Sequence, residues 1–187
     1  MLKRAFDMVV ALAGLAVLWP VLLVIAAVVR LESPGPAIHW SRRVGQDNRL
    51  FDMPKFRTMR IDTPDVATHL LDDPDQWLTR PGRFLRRSSL DETPQLWSVL
   101  IGQMSLVGPR PALFNQDDLV ALRTEVGVHH LRPGLTGWAQ VNGRDELPIP
   151  DKVQLDAAYR VRCSFLFDLR ILTMTAWAAV SGRGVQH

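Results

Sequence analysis

From Met8 to Val29 the sequence carries no charged residue, and this run limits the folds open to the chain more than any other feature. At 1.5 Å rise per residue, about 22 residues match the roughly 30 Å hydrocarbon core of a bilayer. The run therefore predicts a membrane segment. A cleaved secretion signal fits poorly, because its apolar core spans only about 7–15 residues before a small-residue cleavage site. Here the run ends instead in Val28-Val29-Arg30-Leu31-Glu32. Basic residues flank both ends: Lys3 and Arg4 before, Arg30, Arg42, Arg43 and Arg49 after. A spanning helix normally keeps its Lys/Arg excess on one side. Pro20, in mid-run, removes one backbone hydrogen bond and crowds the carbonyl of Ala16. Two topologies stay open on these grounds: a mildly kinked spanning helix, in which proline is tolerated, and a helix-break-helix that enters and leaves by one leaflet.

The remainder of the 187 residues suits one domain, free of internal repeats. The expected division is residues 1–32 as anchor and 33–187 as a domain continuous with it. A single cysteine, Cys163, excludes an internal disulfide and any multi-cysteine metal site. Ser33-Pro34-Gly35-Pro36 reads as a stiff exit turn. Ala37–Val44 and Leu50–Arg57 read as two strands joined across Gly45-Gln46-Asp47-Asn48. Helices are expected at 94–101, 116–126, 151–162 and 164–179, the last with Phe165, Leu169, Leu172 and Ala176 on one apolar seam that meets either the core or a lipid surface. The aspartate-rich stretch from Asp62 to Asp75 matches no calcium loop and reads as solvated.

The segment richest in chemistry is Ser88-Ser89-Leu90-Asp91-Glu92-Thr93-Pro94-Gln95. Either Thr93 caps a helix beginning at Pro94, or Ser89 and Glu92 form a capping box. Both readings put Asp91 and Glu92 at a helix start, where acidic residues routinely add a few tenths of a kcal/mol to about 1 kcal/mol. Their neighbours suggest more. Arg80, Arg83, Arg86 and Arg87 lie upstream, and downstream Arg110 stands between Pro109 and Pro111, which hold its backbone extended. Arginines outnumber lysines 19 to 3, and a guanidinium matches phosphate oxygens two at a time. Carboxylates beside arginines suit the handling of a phosphoanhydride with a divalent cation.

Four blocks extend this reading. Lys55-Phe56-Arg57-Thr58-Met59, Ser89-Leu90-Asp91-Glu92, the run 102–111 ending in Val107-Gly108-Pro109-Arg110-Pro111, and the run 132–144 from Arg132-Pro133-Gly134 to Asn142-Gly143-Arg144 resemble the signature blocks of the bacterial sugar transferases, the small monotopic phosphoglycosyl transferases. The resemblance covers nearly the whole chain. It implies an α+β, mostly helical fold with a re-entrant membrane helix broken at Pro20, a small β-hairpin and interfacial amphipathic helices. It also implies a place on the cytoplasmic face of the bacterial inner membrane.

The implied reaction moves a sugar 1-phosphate from a UDP-sugar to a polyprenol phosphate, usually undecaprenyl phosphate, and releases UMP, as the first membrane step of glycoconjugate assembly. In that scheme Asp91 is the nucleophile of a ping-pong mechanism, and Glu92, with Asp91, binds Mg²⁺ or Mn²⁺. Arg110 contacts nucleotide or phosphate, and Lys55, Arg57, Arg86 and Arg144 are further anion binders. Trp19, Thr93, Ile101 and Gln103 depart from the usual blocks. Larger relatives carry an upstream membrane region, so the resemblance implies a minimal catalytic form whose oligomeric state is open, a dimer included.

Other candidates take plainer readings. His129-His130 are expected as surface or polar-core residues pointing in different directions, Cys163 as a packed thiol, and the tryptophans as core. A catalytically silent membrane scaffold of the same fold is the alternative function. A nucleic-acid binder is disfavoured, because the basic residues are interleaved with acidic ones and no recognition module is present.

Overall fold

A computed structural model of the chain describes residues 2–64, 73–143 and 147–181. Its first element, α1 (Leu2–Glu32), contains the whole apolar run and stays helical through Pro20. The proline forfeits one hydrogen bond but does not divide the segment into two helices, because the apolar side chains around it offer the backbone no other partner. Most of the α1 surface is exposed, including Val9, Leu12, Val17, Trp19, Leu23 and Val24. The four buried residues lie toward the two ends: Asp7 and Ala11, then Ile25 and Val29.

Both ends of α1 are fastened to the rest of the chain. Near the start, Lys3 Nζ donates to the Val107 carbonyl (3.0 Å) and pairs with Asp168 (2.5 Å), while Arg4 donates to the carbonyls of Val99 (2.6 Å) and Leu100 (2.8 Å). Asp7 accepts from Ser105 Oγ (2.8 Å) and from the Leu106 amide (3.2 Å). At the other end Ile25 and Val29 pack on Phe56 and Leu85. There the Arg57 guanidinium caps the helix, donating to Val29 O (3.3 Å), to Ser33 O (2.8 Å) and to Pro34 O. Lys3 and Arg4 are thus tertiary fasteners. Their value as a flanking charge signal is reduced, because their charges point into the fold.

The hairpin forms as expected. β1 (Ile38–Val44) and β2 (Leu50–Phe56) are antiparallel, in register from Ile38 opposite Phe56 to Val44 opposite Leu50, with Asp47 and Asn48 supplying the positive φ of the turn. After α2 (Arg80–Ser88) and α3 (Gln95–Ile101), β3 (Ser105–Val107) leads through Gly108-Pro109-Arg110-Pro111 to β4 (Ala112–Leu113), which joins the other edge of β1. α4 (Asp117–Glu125) follows, then β5 (Gly134–Thr136), parallel to β3. Gly108 and Gly134 permit that pairing: a Cβ on Gly108 would lie 2.3 Å from Arg132 O, and one on Gly134 2.1 Å from Gly108 N. α5 (Trp138–Asn142), α6 (Ile149–Arg162) and α7 (Phe165–Val180) complete the chain.

The four helices anticipated from periodicity are present within two residues of their expected ends; α2 and the parallel β3–β5 pair were not anticipated. The seam of α7 is also rotated. Asp168 and Ile171 are its buried residues and Ala176 is exposed, because Lys3 and the Tyr159 hydroxyl (2.6 Å) draw the Asp168 carboxylate inward. Ile171 joins Ala11, Met53, Val99, Met104 and Tyr159 in the main core. Of the six tryptophans, Trp19, Trp40, Trp97 and Trp177 are exposed rather than packed as expected. Cys163 is exposed too, at the junction of α6 and α7, where it lacks a packed layer above it.

Candidate active site

Thr79 starts α2, its Oγ1 accepting from the Gly82 amide at 3.0 Å, and Arg86 falls in the last turn. Ser89 then takes a left-handed backbone (φ 55°), ending α2 and opening a 3₁₀ turn over Leu90–Glu92 before Pro94 and α3. Neither expected side-chain cap forms: Ser89 ends a helix instead of starting one, and the Thr93 hydroxyl donates back to Leu90 O (2.6 Å). The acidic pair therefore sits in a tight turn between two helices. Asp91 is 8 % exposed, whereas Glu92 is half-buried.

Cations surround this turn. Lys55 comes from β2 and Arg86 from α2, with the Arg86 Nε donating to Thr58 Oγ1 (3.0 Å). Arg110 donates to Glu92 Oε1 at 3.1 Å. Burial lifts the Asp91 carboxyl to about 6; adjacent Glu92 adds to the rise, and Lys55 and Arg86 oppose it. Burial likewise lowers Lys55 to about 8, helped by Arg43 and Arg86 and resisted by Asp91 and Glu92. Near neutral pH the dominant species are an ionised Asp91 and a charged Lys55, each held close to its titration point. Such displaced ionisations, produced by burial plus named partners, mark sites of chemistry more often than plain surface pairs.

Arg110 is itself supported from behind. Arg123 on α4 donates to the Arg110 carbonyl (2.8 Å), and its Nε and Nη2 both reach Asp156 Oδ2 on α6 (2.9 and 2.6 Å). This buried pair anchors Arg110 through its carbonyl.

The tertiary structure thus gathers Asp91, Glu92, Lys55, Arg86 and Arg110 at one place. It gives Arg57 another task, since both terminal guanidinium nitrogens close the end of α1. Arg144 lies outside the described residues, as do residues 65–72 of the acidic stretch. His129 and His130 do not diverge: their rings lie tilted at 39° with centroids 3.9 Å apart, and His130 Nδ1 is 2.9 Å from Asp47 Oδ1. Sequence reasoning missed Arg43, Gln95 and the Arg123–Asp156 pair. Arg43 was findable. In the hairpin register Arg43 opposes Phe51 and Lys55 opposes His39, so alternation puts Arg43 and Lys55 on one face.

Between the hairpin and the acidic turn lies a small cavity of about 10 Å³, lined by Arg43, Met53, Glu92, Gln95 and Arg110 among others. Among the described residues no group of three His, Cys, Asp or Glu side chains is placed to hold a metal. The donors at hand are the two carboxylates. They suit a hard cation that shares its coordination with substrate oxygens, the usual habit of Mg²⁺.

A buried carboxylate with cations beside it, on a domain that bears a long exposed apolar helix, is an arrangement that suits a phosphorylated substrate at an apolar surface. The chain belongs to the bacterial sugar transferase family, whose model matches residues 1–182. It is 43 % identical over 182 residues to a protein of Xanthomonas campestris named UDP-glucose:undecaprenyl-phosphate glucose-1-phosphate transferase, with 93 % of this chain covered and 38 % of that protein. It is 40 % identical to a protein of the same name in Escherichia coli K12, covering 95 % of this chain and 40 % of the other. An uncharacterised sugar transferase of Bacillus subtilis is 41 % identical over the full chain, which spans 91 % of it. The chain thus spans about two fifths of the length of the two relatives named for glucose 1-phosphate transfer.

Proposed function

We propose that this chain is a phosphoglycosyl transferase that moves a sugar 1-phosphate from a UDP-sugar to a polyprenol phosphate, releasing UMP. The reading is carried by one observation, the burial of Asp91 beside Lys55 and Arg86, with Arg110 on the adjacent Glu92. The names of the relatives make UDP-glucose and undecaprenyl phosphate the first substrates to test.

In this mechanism a carboxylate oxygen of ionised Asp91 attacks the β-phosphorus. The bond from that phosphorus to the bridging oxygen breaks, UMP departs with the electron pair, and the sugar phosphate stays on Asp91 as an acyl phosphate. An oxygen of the polyprenol phosphate then attacks the same phosphorus and frees Asp91, giving a polyprenyl diphosphate sugar. Arg110 and Arg86 balance charge that grows on the phosphoryl oxygens, in a partly buried site where such pairing is strongest. Mg²⁺, held by Glu92 with a contribution from Asp91, would neutralise diphosphate charge when bound.

The acceptor is a lipid, which gives the exposed apolar surface its purpose. α1 is about 46 Å long at 1.5 Å per residue, yet both of its ends are tied to the same domain. A spanning helix would separate its ends by a bilayer core of about 30 Å. We therefore read α1 as bent at Pro20 without losing its helical continuity, so that it enters and leaves one leaflet on the cytoplasmic face of the inner membrane. Phe84 on α2, Trp97 on α3 and Leu166 and Trp177 on α7 are exposed side chains suited to its interface. In a Cys163→Ser background, Leu2→Cys and Leu31→Cys should both react with an impermeant thiol reagent from the cytoplasmic side of inverted vesicles. Labelling from opposite sides would sink the re-entrant reading.

The activity test is UMP release from a UDP-sugar with Mg²⁺ and undecaprenyl phosphate in nanodiscs, followed against pH. The rate should rise as pH climbs through about 6, where Asp91 ionises, and fall above about 8, where Lys55 loses its proton. A bound cation favours the ionised carboxylate, so saturating Mg²⁺ should move the acid limb downward. A flat profile from pH 5 to 9 would remove these two groups from the mechanism.

A further inference from the structure

Gln95 is the residue in this site with no assigned task. It opens α3 one turn after Asp91, is only 3 % exposed, and lines the cavity shared by Glu92, Arg43 and Arg110. Its amide Nε2 is buried without a hydrogen-bond partner. Leaving a buried donor unmet costs a fold stability, so an apolar side chain of similar shape would suit this position better if folding were its whole role. An unmet donor on a residue that lines a cavity is explained when a ligand supplies the acceptor. With Arg43 and Arg110 lining the same cavity, the acceptor that fits is an anionic oxygen.

We propose that Gln95 is a substrate-contacting residue whose amide donates a hydrogen bond to a non-bridging phosphoryl oxygen of the bound nucleoside diphosphate sugar. The inference rests on the reading of this cavity as a diphosphate site. The amide adds a short, directional donor that carries no charge. It can select the position of one oxygen where the arginines mainly supply attraction, and it cannot be drawn into a permanent ion pair with Glu92.

Stability and function should move in opposite directions, which a structural glutamine would not do. Full-length Gln95→Met in nanodiscs, without ligand, should melt at or a few degrees above the parent temperature, because an orphaned donor has been replaced by an apolar group of similar length. The same variant should bind UDP and inorganic pyrophosphate, each with Mg²⁺, about 10- to 100-fold more weakly by ligand-induced melting shift, and lose UMP release by a similar factor. A variant that melts well below the parent would make Gln95 a structural residue and overturn the inference. Loss of UDP affinity with unchanged pyrophosphate affinity would place the contact on the nucleoside and overturn it equally. If parent and variant release UMP at the same rate, the Gln95 contact fails while the transferase reading stands. If the parent binds both probes, the variant binds neither, and no UDP-sugar yields UMP, the contact stands and the transferase reading fails.

Discussion

Asp91→Asn should lower UMP release by at least about 10³-fold, since removal of a nucleophile leaves only the positioning and charge effects of the remaining site. With the radiolabelled sugar of the donor and no lipid acceptor, the parent should retain label covalently and release one UMP per site, and the variant should do neither. Full activity in the variant would end the nucleophile assignment. The same substitution should not weaken the fold. Asp91 has its carboxyl raised from 3.8 to about 6 in the folded state, so the folded chain binds that proton more tightly than the unfolded one. Its contribution to stability therefore falls as pH rises from about 4 to 6, and above 6 the buried ionised carboxylate weighs against folding in full. Asn removes that charge. At pH 7 the variant should be at least as stable as the parent, by up to about 1–3 kcal/mol, while at pH 4 the difference should vanish. A melting comparison at the two pH values reads this directly.

Asp156→Ala should have the largest effect on stability, about 3–5 kcal/mol, because it leaves the Arg123 guanidinium enclosed without its partner. The side chains of Arg123 and Asp156 are 11 % and 1 % exposed. Against a typical total of about 5–15 kcal/mol that is a severe loss, and the melting temperature should fall by roughly 6–20 °C. An unchanged melting curve would contradict the pairing. Burial raises the Asp156 carboxyl against the pull of Arg123 and Lys152, so the pair as a whole is not a source of net stability. Its product is position: Arg123 holds the Arg110 carbonyl. Replacing both partners, as Arg123→Met with Asp156→Leu, should recover most of the lost stability and leave UMP release impaired, with the weakness in kcat/KM rather than in the fold.

The two variants also separate what could be read along the chain from what could not. Asp91 and Glu92 stand beside one another, Arg110 is framed by adjacent prolines, and the hairpin announces its register by alternation; each depends on near neighbours. Arg57 belongs to a block that resembles an anion-binding segment, yet its partners are carbonyls 23 to 28 residues earlier in the chain. Arg123 and Asp156 are 33 residues apart and lie on two helices whose periodicity reports only which face is apolar. Lys3 and Arg4 were readable as charges beside a membrane segment. Their destinations, Asp168 and the end of α3, follow from how α1 lies on the domain.

By itself the sequence determined that this chain carries an apolar segment long enough for a membrane, a hairpin, four helices and an acidic pair beside arginines. Those are consequences of local spacing, where side-chain period and turn chemistry act over a few residues. Only the tertiary structure decided which cations reach Asp91, that Arg57 serves the helix end, and that both ends of α1 meet one domain. It also brought Gln95 into a cavity with an unmet donor. The physical reason is common to all four: hydrogen bonds and charges act over a few ångströms in space, and packing alone sets which distant residues come that close.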